Sequence, residues 1–285
     1  MAIRIDIPVV GAGSQPPEED GAFLGVMSMP REMNTYSMPV LPAPEEIAAL
    51  TEARRVLASV RERLADYRIE QPPTVFDISG LDDTNRRLID QLMGEGEVSI
   101  VFDDTTPTHI QESVLAGVWR VRYLDENRGV RKDTIEIAAI PHLVTTATFA
   151  ESRPRVELGD GAPPAGVQNA LPVITEINDK IDGYPRDREP HIVNLTLLPQ
   201  TEEDLAFLGQ RLGRGKVTIL SRGYGNCRIT STATRDVWWV QYFNSQDVNI
   251  LNTLEVSRVP AVACASQEDI EDSAARLREI LEAYA

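Results

Sequence analysis

The chain has 285 residues, with 28 Lys plus Arg against 44 Asp plus Glu, a net charge of −16, 42% hydrophobic and 25% charged residues. That balance is the profile of a soluble globular protein of one large domain or two ordinary ones, and it excludes a disordered chain. The acidity argues against nucleic acid, which is bound by basic side chains that displace phosphate counterions. It argues equally against anionic membrane surfaces and favours, weakly, a basic partner. No run of about 18 apolar residues occurs, so no membrane insertion is expected. The opening MAIRIDIPVVGAG carries Asp6 and lacks the apolar core of a signal peptide, so the expected location is the cytoplasm.

Residues 1–43 read as an extended arm. Ile3, Ile5, Ile7 and Val9 alternate like a strand, and Gly11-Ala12-Gly13 follows. A dinucleotide fingerprint would need a third glycine where Pro16 stands and a helix after it. Instead QPPEEDG presents carboxylates where a phosphate would sit. No cofactor motif is visible elsewhere. Between Gly21 and Pro44 stand Met27, Met29, Met33 and Met38, four of the six methionines, interleaved with prolines. This stretch is either a strap lying on the body or an adaptable apolar surface for a partner.

The rest of the chain repeats itself at an offset of 119. Gly94-Glu95-Gly96 matches Gly213-Arg214-Gly215, VWRVRYL from Val118 matches VWWVQYF from Val237, and DTIEIAAIP from Asp133 matches NTLEVSRVP from Asn252, all without a gap. Each copy begins with a helix, from about Pro44 to Tyr67 and around Pro172 to Ile181. A shorter helix follows, capped in the second copy by Thr201 with Asp204 at the capping-box position. Strands with period-two alternation come next: in the second copy Val217 to Leu220, Cys227 to Ser231, Val237 to Phe243 and Thr253 to Val256. The expected fold is α+β with an internal duplication. Two repeats, residues 44–150 and 169–262, each pack helices on a small antiparallel meander. The Pro- and Gly-rich stretch 151–168 reads as a linker. Residues 263–285 form a C-terminal helix capped by Ser266, with Ile270, Ala274, Leu277, Leu281 and Tyr284 as its apolar stripe.

Face patterning singles out the second copy. Trp119, Val121 and Tyr123, like Trp238, Val240 and Tyr242, define the core side of the central strands. On the other side the first copy carries Arg120 and Arg122, read as solvated surface, whereas the second carries Trp239, Gln241 and Phe243. The rings of Trp239 and Phe243 are either covered by the chain's own elements or form a partner site. The segment Ser221-Arg222-Gly223-Tyr224-Gly225-Asn226-Cys227-Arg228 has no glycine counterpart in the first copy. It reads as a bulge or tight turn that is either a structural corner or a recognition loop.

Catalytic chemistry finds no positive case. Cys227 and Cys264 are too few for an all-Cys metal site and read first as small buried hydrophobes, leaving them weak metal candidates. His109, His142 and His191 are scattered, and no nucleophile–base arrangement is discernible.

The segments GAGSQPPEEDG, MPREMNTY, LMGEGEVSI, GVWRVRY, NLTLLP, RGYGNCRITST, VWWVQYFNS and ASQEDIEDSAARLREI occur in order along nearly the whole chain. In them the sequence resembles the HupH/HyaF/HoxQ family of hydrogenase expression and formation proteins, of which Arg222 to Arg228 is a hallmark segment. The resemblance implies a non-enzymatic accessory protein in maturation of an uptake NiFe hydrogenase. Its implied partner is the iron–sulfur small-subunit precursor, which carries a twin-arginine signal and would be bound before export; other maturation proteins are further possible partners. The alternative is a carrier of iron–sulfur clusters or metal, or an oxidoreductase, assisting cluster insertion. The partner-binding candidates are Arg222, Gly223, Tyr224, Gly225, Asn226, Cys227, Arg228, Trp239, Phe243, Met27, Met29 and Met33.

Overall fold

The computed structural model describes residues 49–159, 161–187, 189–223 and 225–283. Met27, Met29 and Met33, the expected helix start at Pro44, Tyr224 and Tyr284 lie outside them. Among the described residues ten strands pair into one antiparallel sheet, accompanied by six α-helices.

The chain enters through α1 (Thr51–Asp66), which buries Ala53, Leu57, Val60 and Leu64 on one face. Strand β1 (Thr74–Asp77) and helix α2 (Asp83–Met93) follow; the Asp82 side chain caps α2 by accepting the Asn85 N–H. Next come β2 (Val98–Phe102), β3 (Thr108–Glu112), β4 (Val118–Leu124), β5 (Val130–Ile137) and the short α3 (His142–Ala147). The same succession then recurs as α4 (Ala170–Asp187), β6 (His191–Asn194), α5 (Glu202–Leu212), β7 (Arg214–Ser221), β8 (Asn226–Thr232), β9 (Val237–Phe243) and β10 (Asn249–Val256). A 3-10 turn (Ala261–Ala263) and helix α6 (Gln267–Glu282) end it. The capping box at Thr201 and Asp204 is formed, and Ser266 caps α6. Asp204 also accepts the backbone N–H groups of Gln168, Asn169 and Ala170 at the start of α4. Burial works against its charge, yet these bonds and that from Thr201 hold the carboxyl down at about 2.

The two meanders do not stand apart. The strand order is β1-β5-β4-β3-β2-β7-β8-β9-β10-β6. The join is the β2–β7 pair, in which Ile100 faces Ile219, its own counterpart at the offset of 119. One face of the six central strands forms a shared core from both halves: Ile100, Phe102, Trp119 and Val121 with Val217, Ile219, Trp238 and Val240, closed by Val144 of α3 and Ala263 of the 3-10 turn. The indole N–H groups of Trp119 and Trp238 donate to the Ala138 and Ser257 carbonyls, so each ring is buried without an unsatisfied donor.

The opposite face carries two separate helical layers. Helices α1 and α2 cover Val118, Ile135 and Ile137 of the first half; α4 and α5 cover Val193, Val237, Trp239, Leu254 and Val256 of the second. The trailing segments are exchanged. Helix α6, after the second half, packs on α1 and buries Ile270 and Leu277 in the first half's core. The stretch 151–168, expected as a linker, is packed as well. Arg153 bridges to Thr234, its guanidinium donates to the Arg211 and Leu212 carbonyls, and Val156 enters the second half's core. An apolar residue and a guanidinium with carbonyl acceptors in reach are stabilised by docking rather than by solvation.

The matched glycines have a steric role. Gly94 and Gly213 take φ of 55° and 68° at the ends of α2 and α5. A Cβ on Gly96 would stand 2.2 Å from the Ser113 carbonyl oxygen, and one on Gly215 would stand 2.3 Å from Ser231 Oγ. Gly96→Ala and Gly215→Ala are each expected to cost roughly 2–4 kcal/mol in urea unfolding, whereas Gly80→Ala, with nothing within 4 Å of its Cβ, stays within about 0.5 kcal/mol. Equal losses at all three positions would refute the close-approach account.

Candidate functional site

Because the helical layers sit on the flanks, the outward residues of β2, β3, β7 and β8 belong to neither helix-packed core. Register places them in two cross-strand rows with their neighbours on β4 and β9. One runs Arg122, His109, Val101, Thr218, Thr230, Trp239; the other runs Arg120, Gln111, Ser99, Leu220, Arg228, Gln241. The result is a floor four strands wide, about 14 Å across, between α1–α2 and α4–α5. A single helix, about 10 Å in diameter, or an extended segment matches that width.

At the second-half rim of this floor lies a pocket of about 150 Å³, lined by Leu220, Ser221, Arg222, Asn226, Cys227, Arg228, Phe243 and Asp247. The glycines that mark the loop in the sequence are used here. Gly223 and Gly225 form an isolated bridge, Gly225 takes φ +95°, and a Cβ on Gly223 would stand 2.1 Å from Glu97 Oε2. The Arg222 N–H donates to the Glu97 carbonyl at 3.1 Å. The loop is thereby held against the approach to β2, and β8 starts with Asn226 opposite Phe243. The Arg228 guanidinium lies 5.3 Å from the centroid of the Phe243 ring.

The structure brings Arg222, Asn226, Cys227, Arg228 and Phe243 together and separates Trp239 from them. Trp239 is 9% exposed, packed in the core under α4 and α5, and its indole N–H donates to Asn252 Oδ1. The chain's own helices cover that ring, which removes it as a contact surface. Arg120 departs from its expected solvation too. It is buried, bonded through Nε and Nη2 to Asp133 and through Nη1 to Asp90 at 2.8 Å, so two carboxylates compensate its desolvation. Leu220, Ser221, Asp247 and the small polar floor residues carry no motif. Alternation marks Leu220 and the floor residues only as an outward face, while Ser221 is in phase with the core side of β7 and Asp247 stands in the turn between β9 and β10.

Thiol chemistry is disfavoured. Burial pushes the Cys227 thiol up to about 12, with a bond to the Tyr242 hydroxyl working the other way and the Glu255 carboxyl adding to the rise. Burial, with Glu112 nearby, pushes the Cys264 thiol up to about 11. Both are thiols near neutral pH, whereas the thiolate is the metal ligand and nucleophile. Among the described residues no group of three His, Cys, Asp or Glu side chains is placed to hold a metal ion. No helix among them is long and apolar enough to cross a membrane.

Comparison with known proteins matches residues 50–157 and again 167–284 to the family model described as the C-terminal conserved region of HupH hydrogenase expression protein. The chain is 44% identical over 277 residues to the hydrogenase expression/formation protein HoxQ of Cupriavidus necator, covering 96% of each. It is 46% identical over 289 residues to HoxQ of Azotobacter vinelandii, covering 98% of each. To the hydrogenase-1 operon protein HyaF of Escherichia coli it is 31% identical over 282 residues, covering 95% of this chain and 94% of the relative.

One buried acid gives a pH dependence. Burial raises the Glu112 carboxyl to about 7; the Gly117 N–H opposes this and the charges of Glu97 and Asp269 reinforce it. Below the ordinary carboxylate range the group is protonated in folded and unfolded chains alike. From there to about pH 7 only the unfolded chain ionises it, so stability falls as pH rises through that window, by about 3 kcal/mol in full. Glu112→Gln is therefore expected to raise the urea midpoint at about pH 8 and leave it unchanged at about pH 3.5. The same shift at both pH values would exclude Glu112 as the cause.

Proposed function

The chain belongs to the HupH family of hydrogenase expression proteins, and on that premise we propose that it serves hydrogenase maturation as a dedicated chaperone, holding the iron–sulfur small-subunit precursor before export. The observation that carries this reading is the four-strand floor, which among the described residues no helix covers, with the Arg222–Arg228 pocket at its rim. A surface of this width accepts one segment of an incompletely matured subunit, and Phe243 with Arg228 supplies the aromatic and guanidinium pair enriched at interface hot spots. The net charge of −16 adds long-range attraction toward a precursor with a basic twin-arginine signal, which acts on the association rate. Other maturation proteins meet the chain at the same surface in this reading, and the site of action is the cytoplasm. The Met27, Met29 and Met33 arm is proposed as a further contact.

A cluster or metal carrier using Cys227 and Cys264 is the weaker reading, because Cys227 is buried, Cys264 is partly buried, and both are held protonated. We also infer an internal duplication, with residues 44–150 and 169–262 as its two units. The paired matches of the family model, the mirrored strand order and the facing of Ile100 with Ile219 support it.

The test is capture of the hydrogenase small-subunit precursor by the tagged full chain. Phe243→Ser and Thr218→Lys are each expected to lower precursor recovery about tenfold, the loss of one hot-spot contact, with thermal unfolding close to the parent. Undiminished recovery by both folded variants would remove this surface from the proposal.

A further inference from the structure

The floor differs in charge from the chain that carries it. With 44 acidic residues in the sequence, neither cross-strand row between β4 and β9 contains an Asp or Glu, while Arg122, His109 and Arg228 all stand in them. Arg122 has a carboxylate at 3.4 Å, from Asp90. Arg228 is different. It is half-buried, and among the described residues no carboxylate comes within ion-pair distance of it. Its contacts are the Phe243 ring and the longer-range pull of Asp247 on the same pocket wall. Burial disfavours its charge, and a guanidinium stays charged regardless. A half-buried guanidinium pinned by an aromatic ring, with no described carboxylate within ion-pair distance and Asp247 only at longer range, is a receptor for one, since Arg–carboxylate bonds are charge-assisted and bidentate.

We propose that the pocket takes the carboxylate of an Asp or Glu side chain belonging to a protein segment laid on the floor, with the Arg228 guanidinium as its receptor. This rests on the reading of the floor as a partner-binding surface and names the chemistry that surface selects. A volume of about 150 Å³ accommodates one side chain. The segment itself lies over Ser99, Val101, Thr218 and Leu220, whose small or apolar side chains set no charge requirement. Asp247 competes for Arg228 and limits the affinity.

The test follows the Arg228 Nε–Hε resonance by NMR in the full chain, identified by its loss in Arg228→Gln. The probes are the N-acetylated, C-amidated pentapeptide Ala-Ala-Glu-Ala-Ala, its Gln counterpart and inorganic phosphate. The Glu peptide is expected to shift the resonance saturably, with the Gln peptide at least about tenfold weaker, as the loss of a charge-assisted bond requires. Asp247→Asn is expected to tighten the Glu peptide, an effect that a merely structural arginine would not produce. Equal response to the two peptides, tighter binding of phosphate than of the Glu peptide, or uniform movement of all exposed arginines overturns the proposal. A chain that captures the precursor yet ignores the Glu peptide refutes this inference alone. A chain that binds the peptide but not the precursor refutes the chaperone reading and leaves the carboxylate site standing.

Discussion

Everything in this fold follows from the backbone pairing of β2 with β7. Each five-strand meander on its own would present an open edge at that strand, with unpaired N–H and C=O groups available to any extended chain. Pairing the two edges satisfies those groups and brings Ile100 against Ile219 at the centre of one continuous sheet. The inner faces then merge into a core that neither half could build alone, in which the Phe149 ring, from the end of the first half, meets the edge of Trp238 at 5.2 Å.

The same join explains why a surface is left open. Helices α1 and α2 reach β4 and β5, and α4 and α5 reach β9 and β10, because each pair is tied to the outer strands of its own half. Bringing β2 and β7 together at the middle puts the two helical layers on opposite flanks. The exchange of trailing segments, α6 onto the first half and Arg153 to Val156 onto the second, braces those flanks rather than bridging the gap. What remains between the two helical layers is a strip of sheet that no described helix covers, with the Arg228 guanidinium at its rim.

Much of the local structure was legible from residue order. The caps at Thr201 and Ser266, the limits of β9, the glycine-marked loop and the core side of the tryptophan strands are set by near neighbours in sequence: a hydroxyl before a run of N–H groups, strict alternation, a residue without Cβ. The reading of Arg120 as solvated surface failed, and of the two alternatives left open for Trp239 the structure takes cover by the chain's own elements. Both residues occupy the outward face of their strands, and alternation alone does not say what covers that face. Asp133 and Asp90 neutralise the first, and α4 and α5 bury the second. Which helix lies over which strand is not written in either strand's pattern.

From the sequence alone came the α+β class, the match of two stretches at an offset of 119 and the unusual composition of Arg222 to Arg228, since each rests on local spacing or on comparison of one stretch with another. Tertiary structure alone decided that the halves share a single sheet, that the tail helix serves the opposite half, and that Arg228 and Phe243 meet at one end of two outward cross-strand rows without an acid. Those outcomes depend on which edges pair and which faces are covered. Such contacts join residues more than a hundred positions apart, as Ile100 joins Ile219, and periodicity within a segment holds no record of them.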